Sequence, residues 1–337
     1  MPALAISALF GMLPVSMFLV ALVYLDSYKL VRFRRIMWAI IAGGSAAALS
    51  YFVNRYLYEN TAIPETLIPR LAAPVVEEAL KGALIVILIR LRKIGFLVDA
   101  GIHGFAIGTG FALVENLYYL WALPDSTPLL WVIRGFGTAI MHGSTTGILA
   151  IITKALTDKV ANVRVRSFVP GFTAGAAIHI TYNNFFFSPI LQTLFVLIVL
   201  PPIVFYVFSK SESYVRRWLG TGFDLDTELL KLLKSGDLSG SPIGLYLKSL
   251  REHFPGEVLA DMICYLQLHT ELSLRAKGLL MMRESGFDVR PDAEVLANLE
   301  ELRYLDSSIG TTGKLAISPF LHTRSQDLWQ LSLLKEG

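Results

Sequence analysis

Residues 66–89 read TLIPRLAAPVVEEALKGALIVILI, a helix-length apolar run that carries Glu77, Glu78 and Lys81 near its middle. About 20 apolar residues suffice to cross a bilayer. An ionisable side chain inside such a segment is costly, and a functional site is its default reading. Outward from this run, further apolar stretches carry Glu115, His142, and His179 with Asn183. The stretches lie at roughly 3–25, 36–54, 66–89, 97–121, 129–152, 169–187 and 190–208. The last two are separated by the Ser188-Pro189 break, as a tight hairpin or one broken helix. The expected fold is therefore all-α: a polytopic helical membrane bundle of about seven spans, followed by a small cytosolic helical C-terminal domain.

Composition supports that division. The chain is 54% hydrophobic with a mean hydropathy of +0.54, above the range of soluble domains. Residues 1–209 hold 15 Lys and Arg against 9 Asp and Glu, whereas 210–337 hold 15 against 18. The boundary between a membrane domain and a soluble one is thus placed at 209/210. The soluble part is slightly acidic with no basic stripe, which argues against nucleic acid as a partner. Its single Cys264 excludes an intrachain disulfide framework. Apolar positions such as Leu259, Met262, Ile263 and Leu266 recur at helical spacing. Helices are expected at about 225–235, 241–284 with a break at Pro255-Gly256, and 291–304. The first apolar stretch has no charged flank before it and is too long for a signal-peptide core, so it reads as a spanning helix.

Basic residues orient the bundle. Lys29, Arg32, Arg34 and Arg35 follow the first span, Arg90, Arg92 and Lys93 the third, and Lys154, Lys159, Arg164 and Arg166 the fifth. By the positive-inside rule these loops are cytoplasmic, which sets the amino terminus outside and the C-terminal domain in the cytosol. Gly104 and Gly108, Gly143 and Gly147, and Gly171 and Gly175 are pairs at the small-xxx-small spacing that lets helices approach closely.

Depth decides which polar groups can meet. At a helical rise, Glu77, His142 and His179 lie about 20, 18 and 16 Å from the cytoplasmic ends of their helices, and Glu115 about 24 to 27 Å. His103 lies only about 9 Å up, one turn after Asp99, and is set aside as a helix-end pair. Glu77 with Lys81, Glu115 with Tyr119, and His179 with Asn183 are each four residues apart and share a helix face. Glu77 and Glu78 against Lys81 leave one negative charge, and Glu115 makes two. A low-dielectric site must answer with a protonated carboxyl, a cationic histidine or a bound metal ion. A glutamate can then serve as general base, with His142, His179 and Asn183 holding an oxyanion. Alternatively, Glu77 or Glu78 with His142 and His179 forms a His₂Glu site for a divalent metal such as zinc, with an open position for water. Simpler readings are a buried Glu78–Lys81 ion pair, histidines satisfied by backbone carbonyls, and Arg134 as an interfacial anchor.

The run Pro74-Val-Val-Glu-Glu-Ala-Leu-Lys81 resembles the EExxK signature of the PrsW family of intramembrane proteases, distant relatives of the CAAX-prenyl protease and bacteriocin-processing group. Phe111-Ala-Leu-Val-Glu-Asn-Leu-Tyr-Tyr119 resembles its ENxxY motif, His142-Gly-Ser-Thr-Thr-Gly147 its third motif, and His179-Ile-Thr-Tyr-Asn183 its HxxxN motif. The four occur in the family's order across roughly 60–190. The resemblance implies peptide-bond hydrolysis of a membrane-anchored protein, of the kind that cuts an anti-sigma factor on its extracytoplasmic side, in a bacterial cell membrane. By motif, Glu77 is the water-activating base or ligand and Glu78 its partner. His142, His179 and Asn183 support the water or oxyanion, and Lys81, Glu115 and Tyr119 belong to the site. Family members work as metalloproteases or through glutamate, so the metal question stays open. The tail lies outside the pattern, where a cytosolic partner is the expectation. The competing class is a proton- or ion-coupled transporter, in which Asp99, His103 and Arg134 continue a path across the bilayer. A third is a membrane receptor that signals through its tail.

Overall fold

A computed structural model describes residues 2–158, 165–236, 238, 240–287, 289, 292–321 and 325–335. Lys159 and Arg164, used above to orient the bundle, lie outside the described residues. The chain divides into two compact units, Met1–Glu212 and Ser213–Gly337. Among the described residues there is no strand.

The first unit contains α1 (Pro2–Tyr24), α2 (Phe33–Asn60), α3 (Ala73–Arg90), α4 (Leu97–Ala122), α5 (Pro128–Ile133), α6 (Ile140–Thr157) and α7 (Val169–Asn183), followed by the start of α8 (Pro189–Ser235). A π-helical stretch, Ile68–Ala72, leads into α3, and another, Arg134–Ala139, joins α5 to α6. Such widened turns re-aim the side chains around them. The last two predicted spans are separated: α7 ends at Asn183, and a new helix begins at Pro189.

Among the described residues, five helical stretches are long and apolar enough to cross a membrane: Leu4–Tyr24, Phe33–Asn60, Leu97–Ala122, Pro128–Thr157 and Pro189–Ser235. The other two expected spans exist as helices. Continuing from its π-helical lead, α3 holds Glu77, Glu78 and Lys81, which lower its hydropathy. α7 has 15 residues, roughly 22 Å of rise against a hydrocarbon core of about 30 Å. Glu77, Glu78, Lys81 and His179 thus sit on helices that fall short of a span by composition or length, whereas Glu115 and His142 sit on two of the five.

Helix α4 is the hub of this unit, with 83% of its apolar window buried against 33% for α1 and 39% for α2. Large apolar side chains of the outer helices, such as Val20, Trp38 and Phe52, stay exposed, as a lipid-facing surface requires. The glycine spacing matters most between α4 and α6. A β-carbon on Gly108 would collide with the carbonyl oxygen of His142, and one on Gly104 would lie 2.5 Å from that of Thr146. That backbone approach brings His142 to the level of Phe111 and Glu115.

The second unit is built from the remainder of α8 with α9 (Pro242–Ser249), α10 (Gly256–Glu284), α11 (Ala293–Ile317) and α12 (Ser325–Leu334). Asp292 caps α11 by accepting from the Val295 N–H at 2.9 Å. α11 runs beyond the expected end near 304, and Gly310, with φ of 64°, supplies the kink that this requires. Met262, Leu266, Leu272, Leu280, Leu299 and Trp329 form its core. Lys277 is buried there, bonded to Asp226 at 2.5 Å and lying over the Trp218 ring.

Candidate active site

Three helices bring the candidate ligands together. Glu77 on α3, His142 on α6 and His179 on α7 each offer a ligand atom, and these atoms lie within 4.8 Å of one another. Glu78, one residue on, is fully buried. Its Oε1 accepts from Lys81 Nζ at 2.6 Å and lies 2.9 Å from His179 Nδ1, with the Thr145 hydroxyl 3.2 Å away. The N–H of His179 therefore sits on Nδ1, and Nε2 is left facing Glu77, 3.8 Å from Oε2. This carboxylate–histidine arrangement orients a metal-binding imidazole.

His142 has both ring nitrogens engaged. Nε2 lies 3.0 Å from Glu115 Oε2, and Nδ1 lies 3.2 Å from Lys81 Nζ. The two imidazoles meet edge to face with centroids 4.8 Å apart, and Lys81 Nζ lies 4.6 Å from the Phe111 ring centroid. The residues fit a divalent cation on two grounds: two imidazoles and a carboxylate converge, and the buried Glu78 Oε2 has no hydrogen-bond partner. A cation held by His142 would have to replace Glu115 or Lys81 as partner of one ring nitrogen.

Three side chains escaped the sequence reading of the site. Arg134 lies 3.4 Å from Glu115 Oε2, donates from Nε to Asn116 Oδ1 at 2.8 Å, and stacks over the Tyr119 ring at 3.9 Å. Asn116 in turn donates to the Gly11 carbonyl at 2.6 Å. Arg134 is thus part of the site rather than an interfacial anchor. Thr145 bonds Glu78 as described, and Asn54 of α2 donates to Glu77 Oε1 at 3.4 Å. With Arg134 counted, Glu77, Glu78 and Glu115 face Lys81 and Arg134, so the uncompensated negative charge falls from two to one.

Asn183 has a partner that the oxyanion reading did not give it. Its Nδ2 donates to the Pro69 carbonyl at 3.1 Å, and Asn184 Nδ2 donates to the Arg70 carbonyl at 3.2 Å. Pro74 has no N–H to offer those carbonyls, which precede it by five and four residues. The two asparagines replace the missing donor and tie the end of α7 to the start of α3. Tyr119 stands beside Arg134 without reaching either imidazole. Asp99 accepts from the N–H groups of Gly95 and Phe96 at 2.7 Å each, and His103 Nδ1 meets the Asp99 carbonyl at 2.7 Å. Both serve a helix start, as the depth estimate for His103 implied.

Membrane-length helices thus enclose a buried carboxylate–imidazole cluster that could hold a metal ion. The family sequence profile described as PrsW family intramembrane metalloprotease matches residues 29–207, more than half of the 337 residues, and the chain belongs to that family. No curated protein and no solved structure matches the chain significantly.

Proposed function

We propose that this intramembrane protease cuts a membrane-anchored protein, with water activated at the cluster of Glu77, His142 and His179. The single observation that carries this reading is the convergence of those three groups from three helices. His142, His179 and Glu77 would hold the cation, and the His₂Glu donor set favours zinc. When bound, such an ion polarises the scissile carbonyl and lowers the pKa of water.

The remaining steps belong to the protein. Glu78 accepts three hydrogen bonds on one oxygen and is sealed from solvent, so its part is to fix His179 and hold Lys81. Glu115 is the carboxylate nearest His142 that stays partly open, and it takes the proton released as water adds to the carbonyl carbon. When the C–N bond breaks, Glu115 returns that proton to the leaving nitrogen. Arg134, braced by Asn116 and Tyr119, keeps Glu115 in place. Asn183 and Asn184 act through α3, holding the turn that delivers Glu77.

The basic loops support an amino terminus outside and residues 210–337 in the cytosol, which assigns the cluster to the middle or outer half of the membrane. The transporter reading lacks its path, because Asp99 and His103 are bound to backbone. Protein purified with Glu77→Gln, Glu78→Gln or His179→Ala should stay folded and lose cleavage of a co-reconstituted single-span reporter. Undiminished cleavage in all three refutes the proposal.

A further inference from the structure

The cluster is accessible from one side. Glu78, Lys81, His142 and His179 are buried, whereas the side chains of Glu77 and Glu115 remain 15% and 26% exposed. Both line a cavity of about 330 Å³ bounded by α2, α3 and α4. α2 and α4 are clasped at one end of it. A β-carbon on Gly43 would strike the Ile107 carbonyl, and one on Gly110 the Ile40 carbonyl. One turn beyond that clasp the walls are Ala47 and Ala48 on α2 with Phe111 and Val114 on α4. Further out, Tyr51 and Tyr118 form a rim, with ring centroids 5.4 Å apart.

We propose that this cavity is the side-chain subsite of the protease, taking a large apolar residue beside the scissile bond of an extended, membrane-anchored segment. The inference rests on the protease reading above and adds its specificity. Small residues at 47 and 48 leave the volume, and aromatic and aliphatic walls favour apolar contact and leave the desolvation of a charged side chain unrepaid. The segment must be extended because a helical carbonyl is already hydrogen-bonded and shielded within its own helix.

The test uses the full chain in liposomes with a library of single-span reporters, randomised in the stretch flanking the membrane, with cut sites read by mass spectrometry. The wild type should enrich large apolar residues beside the cut and deplete Asp and Glu. Ala48→Trp fills the cavity and should lower cleavage at large residues by about tenfold or more, shifting the preference to small ones. Val114→Ala should shift it the other way, and Leu49→Trp, on the exposed outer face of α2, should match the wild type. A profile unchanged in both Ala48→Trp and Val114→Ala, or a wild-type preference for acidic residues, overturns the subsite and leaves the protease reading intact. Absence of any cleavage by the wild type overturns both.

Discussion

Each unit of this molecule buries a lysine that pairs with a carboxylate beside an aromatic ring. In the membrane unit, Lys81 meets Glu78 at 2.6 Å beside Phe111. In the other, Lys277 meets Asp226 at 2.5 Å beside Trp218. Taken singly the two pairs are alike, and a buried ion pair is weak evidence for anything. They differ in what continues from them. Lys81 and Glu78 extend to two imidazoles and then to two carboxylates on a cavity wall. Among the described residues, only this region gathers three or more metal-ligating groups. A buried charge becomes a candidate active site when its network reaches groups that can exchange a proton or a ligand with the outside.

That contrast is broken or sharpened by four expectations, from the largest effect to the smallest. Glu115→Gln should lower reporter cleavage by about 10²–10⁴-fold, the contribution of a positioned general base, while bound metal is retained. Equal cleavage assigns the proton to another group. Lys81→Ala and Lys277→Ala should each cost about 3–5 kcal/mol, because each removes the cation from a buried ion pair. Thermal unfolding in detergent reads both, and only Lys81→Ala should also release metal. Loss of metal from Lys277→Ala contradicts the distinction. Arg134→Lys, which keeps the charge and loses the planar fork and the stacking on Tyr119, should lower activity by about 10- to 100-fold. Asn183→Ala should cost about 1 kcal/mol of stability with a modest loss of rate. A loss of 10²–10³ in turnover in a well-folded protein returns Asn183 to the oxyanion role.

The helical class, the polar cluster and the trio of candidate metal ligands could be read in the sequence because each signal is local. Hydropathy marks a span, and four-residue spacing marks a helix face. What escaped was non-local or depended on helix geometry. Arg134 precedes His142 by eight residues, about 80° around an ideal α-helix. The intervening π-helical stretch absorbs an extra residue and closes an offset of that order, which no spacing rule for α-helices anticipates. Asn183 shares a helix face with His179, yet Pro74 leaves two carbonyls open on a neighbouring helix, and these claim its amide. Thr145 was visible three residues after His142, inside a motif already quoted. Asn54 stands in an apolar span with no pattern around it, and only the packing of α2 on α3 gives it a role.

The most direct test is metal content read beside cleavage. Detergent-purified wild type should hold about one divalent ion per chain, lose it with cleavage on chelation, and regain both on adding the ion back. His179→Ala and Glu77→Gln should neither hold the ion nor cut the reporter. Full cleavage by metal-free wild type, or an ion still bound when both His142 and His179 are replaced by Ala, contradicts the account.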